Sequence, residues 1–336
     1  MQYFMQQNLL DDLEQQFKDI QEYIEHIEFT NNIPRSNRNI KSEHLQQFTA
    51  HLKKFRVSKK EFEYKAIIIS LYGVLENTIS KWIQEHIQNI SHIVNDYMTL
   101  EDKFKKDYFA LSIQLISRIH DDRHSKFDKI DKEKILKKLN QSIVTPNDFE
   151  LNSEAYIPSS GNLKHEQIVK AFKPLNINLK DWERKLHKEI IKIDNLVTRR
   201  NDIAHGVNID DAIQNITIFQ EYIDSLQIYI RTIFDILFQK EVEYFFEHRK
   251  DELIYIDKTE EVFTKSNACI INIEDIEIKV DDILLIKKNN LFSKATLFSI
   301  KDDDIPVESA NNGELGLQLD IPIKKNSKIW KLLLCK

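Results

Sequence analysis

From the N-terminus to about residue 260, apolar residues recur at spacings of three and four, the period of one face of an α-helix. Leu9, Leu10, Leu13, Phe17, Ile20 and Ile24 form the first such stripe. They predict a helix over 6–29, stopped by Asn31, Asn32 and Pro34. The segment 36–57 is polar, with room for one short helix. A long helix is expected over 58–92, and between Ala66 and Leu75 it is apolar almost all round, the mark of a bundle centre. Helical spacing continues over 103–117 and 131–139. Pro146, Pro158 and Gly161 make 140–162 read as a loop-rich crossover. A short helix over 163–172 is stopped by Pro174, and a long one spans 181–205. Gly206 stands where a left-handed residue would end it. Asn208 or Asp210 can cap the next helix, which runs to about 248 with Ile213, Ile216, Phe219, Ile223, Leu226, Ile230, Ile233 and Leu237 in its stripe. Two long helices joined by a tight turn make an antiparallel hairpin, the unit of a helix bundle.

The period changes near residue 262. Short strands follow, several alternating on a period of two: 268–273, 283–286, 295–300, 316–319 and 329–332. Asn, Asp and Gly fill the turns at 288–290, 302–304 and 311–313, as tight hairpins require. Strands this short and close together imply a small closed or nearly closed barrel. The expected fold is therefore mainly α, a helical bundle followed by a small C-terminal β-barrel. The boundaries are a helical domain over 1–260, with its core at about 55–248, and a barrel over 262–336.

Composition narrows the function. At 336 residues the chain can hold two cores, and 41% hydrophobic with 30% charged residues is the balance of a globular protein. No run approaches the roughly 18–20 apolar residues that span a bilayer, and the N-terminus lacks a basic region followed by an apolar one. No membrane contact and a cytoplasmic location are expected. Cys269 and Cys335 lie far apart, fit a reducing compartment and cannot alone build a thiolate metal site. A net charge of −6 argues against coating nucleic acid non-specifically, while leaving room for one basic cleft. The glycines are Gly73, Gly161, Gly206, Gly313 and Gly316. None has the spacing of a phosphate-cradling loop, so no nucleotide cofactor is expected. Neither a Gly-x-Ser-x-Gly elbow nor a His-Glu-x-x-His pair occurs.

One stretch carries chemistry: Leu-Val-Thr-Arg-Arg-Asn-Asp-Ile-Ala-His-Gly at 196–206. On a helix Asn201 and His205 share a face. Arg200 precedes His205 by five residues, about 7.5 Å along the axis, and its long stem can swing to the same side. Arg200 can then hold a phosphate while His205 moves a proton. Those are the needs of RNA cleavage without a metal: the 2′-hydroxyl loses a proton and attacks phosphorus, and the 5′-oxygen gains one. Histidine transfers protons near neutral pH, and arginine offers a bidentate charge to the anionic phosphorane. The macrodipole at a helix C-terminus favours protonated His205, which suits an acid better than a base. The plainer alternative stays open on this pattern alone: such residues at a helix end only cap carbonyls and meet water.

The run from Arg200 through Asn201 to His205 and Gly206 resembles the signature of HEPN domains: an arginine, a polar residue, then a histidine a few positions on. The wider Leu-Val-x-Arg-Arg-Asn-x-Ile-Ala-His-Gly is similar to the RiboL-PSP group of that family. Tyr72-Gly-Val-Leu-Glu76 resembles the same group, whose central helix carries a Tyr and, one turn later, a Glu. The likeness covers about 55–245. It implies a homodimer in which two Arg–His motifs face each other across a cleft and cut RNA without a metal or cofactor. Carried over, Arg200 and His205 are catalytic, and Asn201 positions them or touches the phosphate. Arg199 would contact the RNA backbone or be a solvated arginine. Glu76 would orient Arg200 or His205 from the neighbouring helix, or be an ordinary surface carboxylate. Val207 stands where related toxins with a nucleotidyltransferase antitoxin often have a tyrosine, which argues against that partner.

The C-terminal strands, with Val-Asp-Asp-Ile-Leu-Leu-Ile at 280–286 and Ala-Thr-Leu-Phe-Ser-Ile at 295–300, resemble the second domain of elongation factor Tu. That likeness implies targeting to tRNA or ribosomes, with a stabilising or protein-docking module as the alternative. The functional expectation is an RNA endonuclease acting on tRNA, mRNA or rRNA as a toxin or antiphage effector, with an antitoxin or regulatory protein. Its alternative is a catalytically inactive HEPN protein that binds RNA or works as a sensor or scaffold. Two weaker features remain. His120 and His124, one turn apart, are possible metal ligands or a solvated helix end. The basic segment 51–60, with Phe55, is a possible RNA path or a solvated helix start.

Overall fold

The computed structural model describes residues 4–36, 43–54, 56–119, 130–158, 162–207 and 217–333. The chain divides into two compact units, one helical (4–91 and 96–237) and one C-terminal (92–95 and from 238 on).

In the helical unit the chain forms α1 (Gln7–Ser36), α2 (Glu43–Lys54), α3 (Arg56–Ile93), α4 (Asp102–Ile119) and α5 (Lys132–Val144). Then come α6 (His165–Phe172), α7 (Lys180–Glu183), α8 (His187–Ala204) and α9 (Thr217–His248), whose last turns belong to the other unit. The core is the middle of α3, where Ile67, Ile68, Leu71, Leu75, Ile79, Trp82 and Ile83 are fully buried. Also buried are Ile193, Leu196 and Val197 of α8 and Phe219, Ile223, Leu226, Ile230, Ile233 and Leu237 of α9, with Phe219 against Tyr64 of α3 at 5.7 Å. Each such side chain is worth roughly 1.5–3 kcal/mol out of water. Trp82 meets the edge of Phe234 at 5.3 Å.

Four expectations need correction. First, α1 does not stop at Asn31, Asn32 and Pro34 but continues to Ser36. Lys59 on α3 donates to Thr30 Oγ1 (2.7 Å) and Asn31 Oδ1 (3.4 Å), so a tertiary contact holds polar residues that read as a stop. Second, α3 is not buried all round between Ala66 and Leu75, because Ile69 is 51% exposed. Third, the helix expected over 181–205 is broken. Leu186 leaves helical geometry (φ −98°, ψ 15°) and is buried, separating α7 from α8. Helical spacing on both sides hides such a break. Fourth, the crossover 140–162 is less irregular than its prolines suggest. Helix α5 runs on to Val144, and a 3-10 turn forms at Ser153–Tyr156. Buried Asn152 anchors it, with Nδ2 at 3.2 Å from Tyr108 Oη, Ser112 Oγ and the Ile135 carbonyl. The cap expected at Asn208 or Asp210 lies outside the described residues, as do Ile213 and Ile216.

In the C-terminal unit the strands begin at Leu253, earlier than the change of period at 262 suggested. They are β1 (Leu253–Lys258), β2 (Glu261–Phe263), β3 (Ala268–Ile273), β4 (Ile278–Lys279) and β5 (Ile283–Lys288). β6 (Leu291–Asp302), β7 (Ile305–Val307), β8 (Ser309–Ala310), β9 (Gly313–Leu319) and β10 (Lys328–Leu332) follow. The main sheet is antiparallel in the order β1-β10-β5-β6-β9-β3-β2, with β7 beside β6 and a separate β4–β8 pair. It curls into a half-barrel around Cys269, Ile271, Leu284, Leu297, Ile300, Leu315, Leu317 and Ile329. Its two outermost strands, β1 and β2, are consecutive in the chain, joined by Thr259 and Glu260. The turns use the residues their geometry demands: Asn289, Asn290, Asp303 and Asp304 all have positive φ. The last turns of α9 rest on this sheet. Gln239 hydrogen-bonds both the carbonyl (2.8 Å) and the amide (2.7 Å) of Phe292, and Phe246 meets Trp330 edge-on at 5.2 Å.

Candidate nuclease site

The candidate site is built at the C-terminal end of α8. Its last turn closes in a Schellman arrangement: the Val207 amide donates to the Asp202 carbonyl (2.9 Å) and the Gly206 amide to that of Ile203 (3.2 Å). Gly206 adopts φ +68°, which glycine allows without strain. That cap fixes His205 as the terminal residue, with its amide on the Asn201 carbonyl (2.9 Å) and its side chain exposed. The cap leaves the histidine exposed at the helix end.

Arg200 is half-buried. Its guanidinium carbon lies 4.6 Å from the centre of the Tyr72 ring, a cation–π contact with α3. Nη1 donates to Asn201 Oδ1 (3.2 Å), and Asn201 Nδ2 donates to Asn162 Oδ1 (3.2 Å) on the segment before α6. Arg200 thus lies between an aromatic floor and an amide wall. Glu76 is half-buried one turn along α3 from Tyr72. Burial first, then the Glu76 carboxylate, hold the Tyr72 phenol above its ordinary range, while the Arg200 charge pulls it the other way. Arg200 and Glu76 therefore act on the same ring from opposite sides in charge.

A family model described as RiboL-PSP-HEPN matches residues 11–239, more than half of the chain. The chain belongs to the RiboL-PSP-HEPN family. No curated protein matches it significantly. Membership supports a nuclease or RNA-binding kind of role. The half-barrel is compatible with a β-barrel domain appended to the HEPN region.

The structure brings Arg200 and Asn201 to the Tyr72 ring, with Glu76 beside that ring, while His205 stands exposed at the end of the same helix. Arg199 goes elsewhere. Successive helical residues point about 100° apart, so it faces the other side of α8. Its Nε donates to Asn195 Oδ1 (2.8 Å) and its Nη1 to the Tyr64 hydroxyl (2.7 Å). Tyr222 of α9 donates to the same Asn195 oxygen (3.1 Å). Arg199 is half-buried and ties α8 to α3 and α9, unlike the solvated arginine of one expectation. Tyr64, Asn162, Asn195 and Tyr222 were not singled out from the sequence; only α8's partners reveal them. His120 and His124 lie outside the described residues, as does Phe55. Among the described residues, no group of three or more His, Cys, Asp or Glu is placed to hold a metal ion. No described helix is long and apolar enough to cross a membrane.

Proposed function

We propose that this protein is a metal-independent RNA endonuclease in which Arg200 and His205 cleave by 2′-hydroxyl transesterification at a homodimer cleft. One observation carries the reading. Arg200, braced on Tyr72 and steered by Asn201, shares a helix end with an exposed His205. Bracing fixes a long side chain beforehand, so less freedom is lost when it grips a phosphate. The 2′-oxygen attacks phosphorus and its proton passes to a base. The P–O5′ bond breaks, and the leaving oxygen takes a proton from an acid. The products carry a 2′,3′-cyclic phosphate and a 5′-hydroxyl. One His205 and His205 of the partner subunit divide the two proton transfers, and the Arg200 guanidinium offsets the charge gathering on the phosphorane. Asn201 holds Arg200 in place. Glu76 sets the charge around the Tyr72 floor on which Arg200 rests.

Free cleavage of tRNA, mRNA or rRNA stops growth, so the reading extends to a cytoplasmic toxin or antiphage effector restrained by an antitoxin or regulatory protein. The strands would serve to target or regulate it. The second reading, a silent RNA-binding or sensor module, is favoured by Arg200 already being engaged within its own chain.

The test separates the two. Purified wild type, His205→Ala and Arg200→Ala are compared on total RNA with a chelator present. His205→Ala should lower cleavage by roughly 10²–10⁴, and the wild-type products should end in cyclic phosphate. Binding without cleavage by the wild type, with Arg200→Ala altering affinity only, establishes the second reading instead.

A further inference from the structure

The outer face of the curled sheet carries a groove of about 460 Å³ across β3, β9 and β6. Successive strand residues face opposite ways, so Cys269, Ile300, Leu315 and Leu317 fill the core while the positions between them face out. Register sets the order along the groove. One row runs from Phe263 on β2 through Ala268 and Gln318 to Ser299. The next is Ile270, Gly316 and Lys301. Beyond it stand Glu314 and the Asp303–Asp304 turn between β6 and β7.

Gly316 is the decisive residue. It sits inside β9, paired with β3 on one side and β6 on the other. Glycine weakens a strand interior, so its presence there needs a reason. The backbone supplies none, because the described glycines with positive φ are Gly206 and Gly313. Packing within the sheet supplies none either. A Cβ at this position would meet Lys301 Cβ at 3.6 Å and the Lys301 carbonyl oxygen at 3.9 Å, both ordinary contacts. What is left is the close approach of something else. Small Ala268 and Ser299 in the neighbouring row keep the floor low.

The two ends of the groove differ in chemistry. At one end exposed Phe263 and half-buried Ile270 make an apolar wall. At the other, Asp303, Asp304 and Glu314 are exposed beside Lys301, three carboxylates to one ammonium. Asp303 and Asp304 have φ of 48° and 65°, so a tight hairpin holds both charges in place. Such a rim repels a phosphate chain and attracts a cation. The wall and the acidic rim are about four strand residues apart, roughly 13 Å, which four residues of extended peptide also span. A small polyamine would leave the apolar wall unused. Because β9 is paired on both sides, a visitor crosses the face of the sheet and is read by its side chains.

We propose that this groove docks an extended segment of another protein. Its backbone passes over Gly316, an apolar side chain rests on Phe263 and Ile270, and a lysine or arginine meets Glu314 and the Asp303–Asp304 turn. The proposal concerns the C-terminal unit alone and holds whether or not Arg200 and His205 cut RNA.

The experiment uses the full-length protein and a fluorescent peptide in which a leucine is followed, after a short Gly-Ala spacer, by paired arginines. Anisotropy should report saturable binding that weakens with salt. The same peptide with glutamates in place of the arginines should not bind. Gly316→Val raises the floor and should weaken binding about tenfold or more. Asp303→Asn with Asp304→Asn keeps residue types that tolerate a left-handed turn and should weaken it about fivefold, in keeping with exposed charge pairs. That double variant decides the matter if Gly316→Val fails to fold. The chain holds five glycines, so isotope-labelled glycine gives a sparse spectrum. In it the Gly316 amide should move with the peptide while that of Gly73 stays. The proposal is overturned if both peptides bind alike, if neither set of substitutions weakens binding, or if the Gly316 signal stays still. It is equally overturned if spermine or single-stranded RNA moves that signal as far as the peptide does.

Discussion

Adjacent arginines divide the labour at the end of α8. Arg199 is spent on Tyr64 and Asn195, within the packing of three helices, while Arg200 rests on the Tyr72 ring and donates to Asn201. By residue type the two are alike, and only the resemblance to the family signature singles out Arg200. What separates them is a rotation of about 100° and what stands on each side. Their variants should diverge. Arg199→Ala loses charge-assisted hydrogen bonds and should cost about 1–3 kcal/mol of stability, read as a lowered thermal midpoint. Arg200→Ala should cost under about 1 kcal/mol while removing cleavage. Equal midpoints for the two would sink this division. The place of Asn201 beside Arg200 was legible because the motif gives type and spacing together. Asn162 was not, since no local pattern announces which loop residue will reach an asparagine 39 positions away.

Helix ends, more than helix faces, decide where the chemistry sits. The stripes on α3, α8 and α9 were readable because burial requires them, and the core follows them closely. The breaks were less readable. Leu186 interrupts a run with faultless helical spacing, and α1 passes through a proline, because tertiary contacts outweigh local stop signals. Gly206 is the exception: its left-handed conformation was expected from sequence and is present. Nothing lies within 4 Å of where a Cβ would stand, so a substitution there costs backbone strain and not a clash. Gly206→Ala should therefore destabilise by about 1–2 kcal/mol and, by loosening the cap, reduce cleavage more than stability alone explains. Circular dichroism melts and an RNA cleavage assay on one preparation check both halves. A melt unchanged from wild type would show that the cap is not strained by a side chain.

At the scale of the molecule, the C-terminal unit carries its own reporter. Cys269 is fully buried, and burial raises its thiol from an ordinary value of 9.0 to about 12. At pH 9 an ordinary thiol is half ionised, whereas Cys269 keeps its proton. Native protein carrying Cys335→Ser should then resist alkylation at pH 9, and should react when the sheet opens. Leu317→Ala removes a fully buried side chain beside it in the register and should cost about 2–5 kcal/mol. Alkylation of Cys269 should then begin at a lower denaturant concentration. Prompt labelling of the unaltered native sheet would contradict the burial. β3, β5, β6, β9 and β10 were legible from alternation and turn residues; the short β2, β4, β7 and β8 were not, and neither was β1. The register of β1 slips between Tyr255 and Asp257, which spoils the period of two, and β1 follows α9 with only a short 3-10 turn between.

The sheet's outermost strands are neighbours in sequence, held as a clasp by the Thr259–Glu260 link. Unpaired strand edges are where foreign chains add themselves and start aggregates. A backbone that fastens its own rim offers such visitors little purchase. Severing that two-residue link would leave the interior untouched and still give the fold two frayed borders, turning a self-contained cup into a template for stacking.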